Sequence, residues 1–189
     1  MSNEDKTQEL ISFFSCEKDK DIENFLKEKA LLFEKLGKSR TYIILDEDDD
    51  DFNILAYFTL AIQVLKVNNE LLSGRKTKSL DGFSSKVHGS KITEFPAILI
   101  GQIGKNDPYK ELISGLEVME LCLSMVLKGQ QVLGGRIVML ECKDIEPIIN
   151  LYQKFDFRKL DKDHEKDELL QMIRVLESDD IIESKGFNS

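Results

Sequence analysis

The stretch FPAILIGQIGKNDPYKELISGLEVMELCLSMVLKGQQVLGGRIVMLEC, residues 95–142, decides the fold class. Its first nine residues are apolar except for Gln102 and are rich in branched side chains, which is typical of a buried strand. Residues 112–133 repeat apolar side chains at helical spacing, and Gly134 and Gly135 follow as a helix stop. Residues 137–142 form a second apolar run. A strand–helix–strand unit predicts two parallel strands in an α/β sheet.

The segments on either side of this unit add helices and further strands. Residues 21–36 show helical spacing, and Gly37 stands where a helix C-terminus favours glycine. A helix with Pro147 in its first turn is predicted over 146–155. β-Branched and aromatic runs predict five more strands, at residues 11–15, 41–45, 54–67, 157–160 and 169–176. Consecutive strands imply hairpins, so the sheet is predicted to be mixed, with helices on both faces.

Two polar connections interrupt this pattern. Residues 46–51 are all acidic, and a solvated hairpin turn is favoured over a cation site because calcium loops space their ligands around a glycine. Residues 68–94 are rich in glycine, serine and lysine, and they predict a long insertion containing at most a short helix.

Length and composition indicate one globular domain. The 189 residues include 41% hydrophobic side chains, and we expect a flexible N-terminus (1–10), a single domain (11–176) and a loose tail (177–189). No apolar run approaches the roughly 20 residues needed to span a bilayer, and the acidic start lacks a signal peptide's features. Three cysteines without metal-ligand spacing are typical of reduced thiols, so a cytoplasmic protein without membrane contact is expected. The net charge of −9 makes nucleic acid an unlikely partner.

The order of elements over residues 11–176, and above all 95–160, resembles the GNAT N-acetyltransferase family. In that family a strand leads into a loop of pattern Gln/Arg-x-x-Gly-x-Gly/Ala that opens the long helix. Here Lys110 falls at the first position, Ile113 at the first glycine and Gly115 at the last. The resemblance implies a partly splayed sheet and a loop whose backbone N–H groups hold the pyrophosphate of acetyl-CoA.

The implied cofactor-binding residues belong to this loop and to the end of the strand before it. The strand end would pair its backbone with the pantetheine arm, and the loop would hold the phosphates. They are Ile103, Gly104, Lys105, Lys110, Glu111, Leu112, Ile113, Ser114 and Gly115.

A second motif follows the next strand. The family ends a short helix with Leu/Phe-Tyr-x-x-x-Gly-Phe, and this chain has Leu151-Tyr152 followed by Asp156-Phe157. Asp156 takes the glycine position, and aspartate tolerates the left-handed conformation better than most residues. The resemblance implies that Tyr152 protonates the departing thiolate, since a phenol pKa of about 10 suits that task. The alternative is that Tyr152 only packs in the core.

The implied reaction is direct attack of an amine on acetyl-CoA. A carboxylate or a water chain would remove the amine proton. Glu141 and Glu94 are the candidate carboxylates, and the alternative for each is an ordinary surface or strand-end residue. The acceptor would be a small molecule or a protein amine, and a homodimer is possible. Two alternatives stay open: a GNAT fold that binds without catalysis, favoured by Glu111, Ile113 and Asp156, and a toxin-type enzyme acting on aminoacyl-tRNA.

Overall fold

The structure is a computed structural model, and it describes residues 3–46, 52–68, 73–160, 169–177 and 180. The helices are α1 (Asn3–Ser12), α2 (Lys20–Asn24), α3 (Ala30–Lys35), α4 (Gly74–Asp81), α5 (Gly115–Leu133) and α6 (Glu146–Gln153). The strands are β1 (Arg40–Leu45), β2 (Ile54–Lys66), β3 (Lys86–Val87), β4 (Ser90–Lys91), β5 (Glu94–Lys105), β6 (Ile137–Cys142), β7 (Arg158–Lys159) and β8 (Leu170–Val175). The fold is α/β, as the sequence predicts.

Six strands form one sheet in the order β1-β2-β5-β6-β8-β7, and β3 and β4 form a separate hairpin. The β1–β2, β6–β8 and β7–β8 pairs are antiparallel. β2 also runs antiparallel to β5, because Val67 N–H donates to Thr93 at one end and Asn106 N–H donates to Leu55 at the other. The chain forms two compact units, 1–61 with 100–122 and 62–99 with 123–189.

The first unit buries both faces of its strands. Ile43 and its partner Tyr57 lie in a cluster with α1 and the 20–35 helical segment, whereas the next pair, Ile44 and Ala56, lies in a cluster with Ile113 and the start of α5. A β-bulge after Ile44 leaves Leu55 unpaired and places it in the second cluster as well. Helices therefore cover both faces in this unit, as predicted.

The second unit is built around one core, and the insertion contributes to it. Leu80 of α4 packs with Leu65, Phe95 and Ile137. Gly82 ends α4 in the left-handed conformation, and a Cβ there would overlap the guanidinium of Arg136. The predicted short helix of the insertion is thus α4, which is docked against the sheet.

Several sequence expectations need correction. The predicted strand at 11–15 is wrong, because α1 extends to Ser12, and residues 3–10, predicted to be flexible, form most of that helix. The 21–36 helix is interrupted by a π-helical turn at Phe25–Lys29, where Ala30 N–H donates to Phe25. The acidic turn lies outside the described residues except for Asp46.

Apart from the start of α5, the remaining element predictions are confirmed within about two residues, and Gly37 has the expected positive φ of 65°.

Candidate functional site

The end of β5 is anchored to two neighbouring segments by one buried amide. Asn106 is 2% exposed; its side-chain Nδ2 donates to the Ile54 carbonyl at 2.8 Å, and its Oδ1 accepts the Ser15 N–H at 2.8 Å. Asp107 continues the connection, since its carboxylate accepts the Glu17 N–H at 2.6 Å. The backbone that leads into the predicted pyrophosphate loop therefore starts from a fixed point.

The predicted cofactor loop folds back on the side chain of Lys105. Its Nζ donates to the carbonyl of Lys110 at 2.7 Å and to the carbonyl of Ile113 at 2.9 Å. Ile113 is 7% exposed and packs with Leu55 and Val118. The loop is thus held both by an ammonium group and by an apolar anchor.

A reciprocal capping box starts α5. The Ser114 N–H donates to the Glu117 carboxylate at 2.7 Å, and the Glu117 N–H donates to Ser114 Oγ at 3.1 Å. These bonds to Ser114, side chain first, lower the pKa of Glu117, and Lys105 adds a smaller effect of the same sign. The prediction that the helix starts at residue 112 is therefore wrong by three residues.

The loop leaves backbone donors available. In the described part of the chain, the N–H groups of Glu111, Ile113 and Gly115 donate to no other group, whereas that of Leu112 donates to Tyr109 at 2.9 Å. Alternate donors at the start of a helix form the kind of concavity that binds an anion. The side chains of Lys110, Glu111 and Leu112 are exposed, so Glu111 does not fill this space with a buried charge.

The other two predicted cofactor residues, Ile103 and Gly104, have packing contacts. Ile103 is half-buried in the cluster that contains Leu55 and Ile113. Gly104 lies against α2, and a Cβ built there would be 2.5 Å from Cγ2 of Ile22. The first unit thus brings together all nine predicted cofactor-binding residues.

Tyr152 lies on α6 in the second unit and is 6% exposed. Its ring centroid is 6.1 Å from that of Phe157, and its carbonyl accepts the N–H groups of Phe155 and Phe157 at 3.0 and 3.2 Å. Asp156 has φ of 62°, so the expectation that it adopts the left-handed conformation of the family's glycine is confirmed. The predicted turn after α6 is present.

The two candidate bases are exposed carboxylates with polar partners on neighbouring strands. Glu141 is exposed on β6 and accepts a hydrogen bond from Gln171 on β8 at 2.9 Å. Glu94 forms an exposed ion pair with Lys66 at 3.4 Å. Both carboxylates are thus exposed rather than buried.

Sequence reasoning missed three contributors to the loop: the side chains of Lys105, Asn106 and Glu117. Of these, only Glu117 could have been identified from the sequence, because Ser114 and Glu117 match the Ser-x-x-Glu pattern of a capping box. The described residues contain no group of three metal-ligating side chains. None of the described helices is both long and apolar enough to cross a membrane.

Comparison with known proteins finds similarity in structure alone. No family model and no curated protein matches the chain. Among solved structures, AtaT complexed with acetyl-methionyl-tRNAfMet matches with a TM-score of 0.64 and 15% identity, covering 87% of this chain and 86% of AtaT. An AtaT mutant toxin bound to the C-terminus of the antitoxin AtaR and acetyl-CoA matches with a TM-score of 0.62 and 13% identity. That match covers 95% of this chain and 91% of the AtaT chain.

A mutant of KacT gives a TM-score of 0.63 and 15% identity, and the match covers 94% of this chain and 91% of KacT. At such identities the comparison speaks to the fold and not to the site residues. The element order, the sheet and these matches agree. The chain therefore has the fold of the GNAT acetyltransferases.

Proposed function

We propose that this protein is an acetyl-CoA-dependent N-acyltransferase that transfers an acetyl group directly to an amine. The observation that carries the proposal is the loop at residues 110–115. Three of its N–H groups donate to no other group among the residues that the structure describes, and two of its carbonyls accept hydrogen bonds from Lys105. This arrangement suits a pyrophosphate because it offers donors and turns acceptors away.

The residues that would hold acetyl-CoA divide into two groups. Backbone N–H groups of Glu111, Ile113 and Gly115, with the exposed ammonium of Lys110, would hold the phosphates. Backbone groups at the end of β5, from Ile103 to Lys105, would hold the pantetheine amides. When bound, acetyl-CoA supplies an activated thioester.

Tyr152 is our candidate for the general acid. Its burial keeps the phenol away from bulk water, and the turn at Asp156 fixes the end of its helix. It would donate its proton to the sulfur of the leaving thiolate as the C–S bond breaks. Glu141 remains the candidate base, and it would accept the amine proton directly or through water.

Binding of acetyl-CoA is the first test. We expect acetyl-CoA to raise the melting temperature of the wild-type protein, since only the folded state has the loop. Gly115→Asp should abolish the shift, because its carboxylate would lie at the proposed anion site, whereas Gly115→Ala keeps the N–H group and should bind. Aspartate is favourable in the first helical turn, so the fold should survive. No shift at millimolar acetyl-CoA, with no heat by calorimetry, would contradict the proposal.

The amine acceptor is a separate question. The net charge of −9 favours a small amine, a protein N-terminus or a lysine over tRNA. That charge lies in one unit, however: the first contains ten basic and nineteen acidic residues, and the second sixteen of each. The second unit is therefore neutral, and the overall charge is a weak argument against nucleic acid there.

Aminoacyl-tRNA is accordingly the second candidate acceptor, favoured by the structural similarity to AtaT in complex with acetyl-methionyl-tRNAfMet. Filter binding to bulk tRNA at low and high salt separates the two. Micromolar affinity with a steep salt dependence would support the tRNA acceptor. Absence of binding would support a small or protein amine. Acetyl-CoA binding without turnover on any amine would instead support a binding protein.

We place the protein in the cytoplasm. Its three cysteines, Cys16, Cys122 and Cys142, are buried free thiols, and burial raises the pKa of Cys122 to about 12. Thiols kept in this form suit a reducing compartment.

A further inference from the structure

We propose that the side chain of Lys105 is a positioning residue that holds the 110–115 loop in the conformation that binds pyrophosphate. The inference rests on the proposed function. It assigns to Lys105 a role distinct from the backbone pairing with pantetheine that the family resemblance implies. Its basis is the pair of hydrogen bonds from Lys105 Nζ to the Lys110 and Ile113 carbonyls, at 2.7 and 2.9 Å.

These two bonds fix the direction of the loop's donors. In a trans peptide unit the carbonyl and the following N–H point in opposite directions. Holding the carbonyls of Lys110 and Ile113 toward Lys105 therefore turns the N–H groups of Glu111 and Ser114 away from it. That of Glu111 is available for a ligand, and that of Ser114 is bound by Glu117. Lys105 also removes two negative carbonyl ends from the anion's approach.

The ammonium group can do this because its own backbone is fixed. Lys105 ends β5 and precedes Asn106, whose buried side chain is bonded to Ile54 and Ser15. An ammonium carries three donors, and two are used on the loop. Flexible lysine side chains lose entropy when they are ordered, so a fixed starting point lowers the cost of this arrangement.

Direct binding of phosphate by Lys105 is the competing role. The Nζ of Lys105 already donates hydrogen bonds to two loop carbonyls, whereas the exposed Lys110 is better placed to contact a ligand from solvent. The two lysines thus separate positioning from direct charge attraction. Lys110→Met is the matched control, since it removes one positive charge from the same loop and leaves the carbonyl clamp intact.

The experiment compares two ligands on three proteins. Wild type, Lys105→Met and Lys110→Met are titrated with acetyl-CoA by calorimetry and with S-acetyl-pantetheine, which lacks the pyrophosphate, by ligand-observed NMR. Lys105→Met should weaken acetyl-CoA binding by about tenfold or more, because two charge-assisted hydrogen bonds are lost. Its affinity for S-acetyl-pantetheine should change less than about twofold. Lys110→Met should weaken acetyl-CoA binding by a smaller factor.

Four other outcomes would overturn the inference. Equal loss for both ligands would assign Lys105 to general folding and overturn the inference. Equal loss of acetyl-CoA affinity in the two variants would indicate charge attraction alone and also overturn it. Unchanged affinity in Lys105→Met, with wild-type binding, would overturn the inference and leave the proposed function standing. Failure of wild type to bind acetyl-CoA would overturn both.

Discussion

Gly104 allows a test of how the end of β5 is packed against α2. A Cβ at this position would be 2.5 Å from Cγ2 of Ile22 and 3.7 Å from its Cβ and Cδ1. Side-chain carbons do not approach so closely, so the methyl or the helix must move by at least about 0.5 Å. Overpacking of this kind costs about 1–3 kcal/mol. We therefore expect Gly104→Ala to lower the free energy of unfolding by that amount.

A double-mutant cycle measures whether the clash is with Ile22. Ile22→Ala removes Cγ2 and should cost roughly 1–2 kcal/mol by itself, because the side chain is only partly buried. In the Gly104→Ala/Ile22→Ala protein the clash is absent, so the loss should fall short of the sum by about 1–2 kcal/mol. Urea unfolding of the four proteins provides the values. Additivity within about 0.5 kcal/mol would refute the packing explanation.

Three further predictions concern Tyr152 as the general acid, the ion pairs of Glu23, and Ile113 as the apolar anchor of the 110–115 loop. Tyr152→Phe should reduce turnover about 10²–10⁴-fold on a confirmed amine with acetyl-CoA affinity unchanged, and unchanged kinetics would remove the acid role. The Glu23 carboxylate accepts the Cys16 N–H at 3.0 Å and pairs with Lys20 and Lys27 at 2.8 and 3.0 Å, and these bonds lower the pKa of the carboxyl from 4.5 to about 2. The stability that ionised Glu23 contributes is present above about pH 4.5 and is lost as the pH falls toward 2. The difference in unfolding free energy between wild type and Glu23→Gln should therefore shrink between about pH 4.5 and 2, and a constant difference in urea titrations would contradict this. Ile113→Gly should destabilise the fold by about 2–5 kcal/mol and weaken acetyl-CoA binding, and tighter binding would contradict the reasoning.

The sequence predicts those elements whose signal is local. Strands β1, β2, β5 and β6 follow from their β-branched, aromatic and apolar runs. The left-handed turn at Asp156 follows from the family resemblance, because this residue takes the position of the motif's glycine and aspartate tolerates that conformation. The segment ISFFS misleads because two adjacent phenylalanines suit either structure. In the fold, Ile11 and Phe14 are buried three residues apart and Phe13 is 73% exposed, which is helical spacing.

The site contacts could not be predicted because they join residues far apart in the chain. Asn106 bonds Ser15, which lies 91 residues away, and nothing in the local pattern near either residue indicates the other. The π turn at Phe25–Lys29 is likewise invisible, since its apolar spacing still fits an ordinary helix.

The departures of the loop from the family pattern have a physical explanation. Glycines in such a loop permit positive φ and close approach of a ligand to the backbone. Ile113 is not among the described non-glycine residues with positive φ, which are Phe52, His88 and Asp156, so no strain arises there. Its side chain instead anchors the loop to the core from within, and Lys105 orients the carbonyls. Anchoring by these two side chains can thus replace the conformational freedom of glycine. For that reason Ile113→Gly should loosen the loop and weaken the acetyl-CoA binding that we propose.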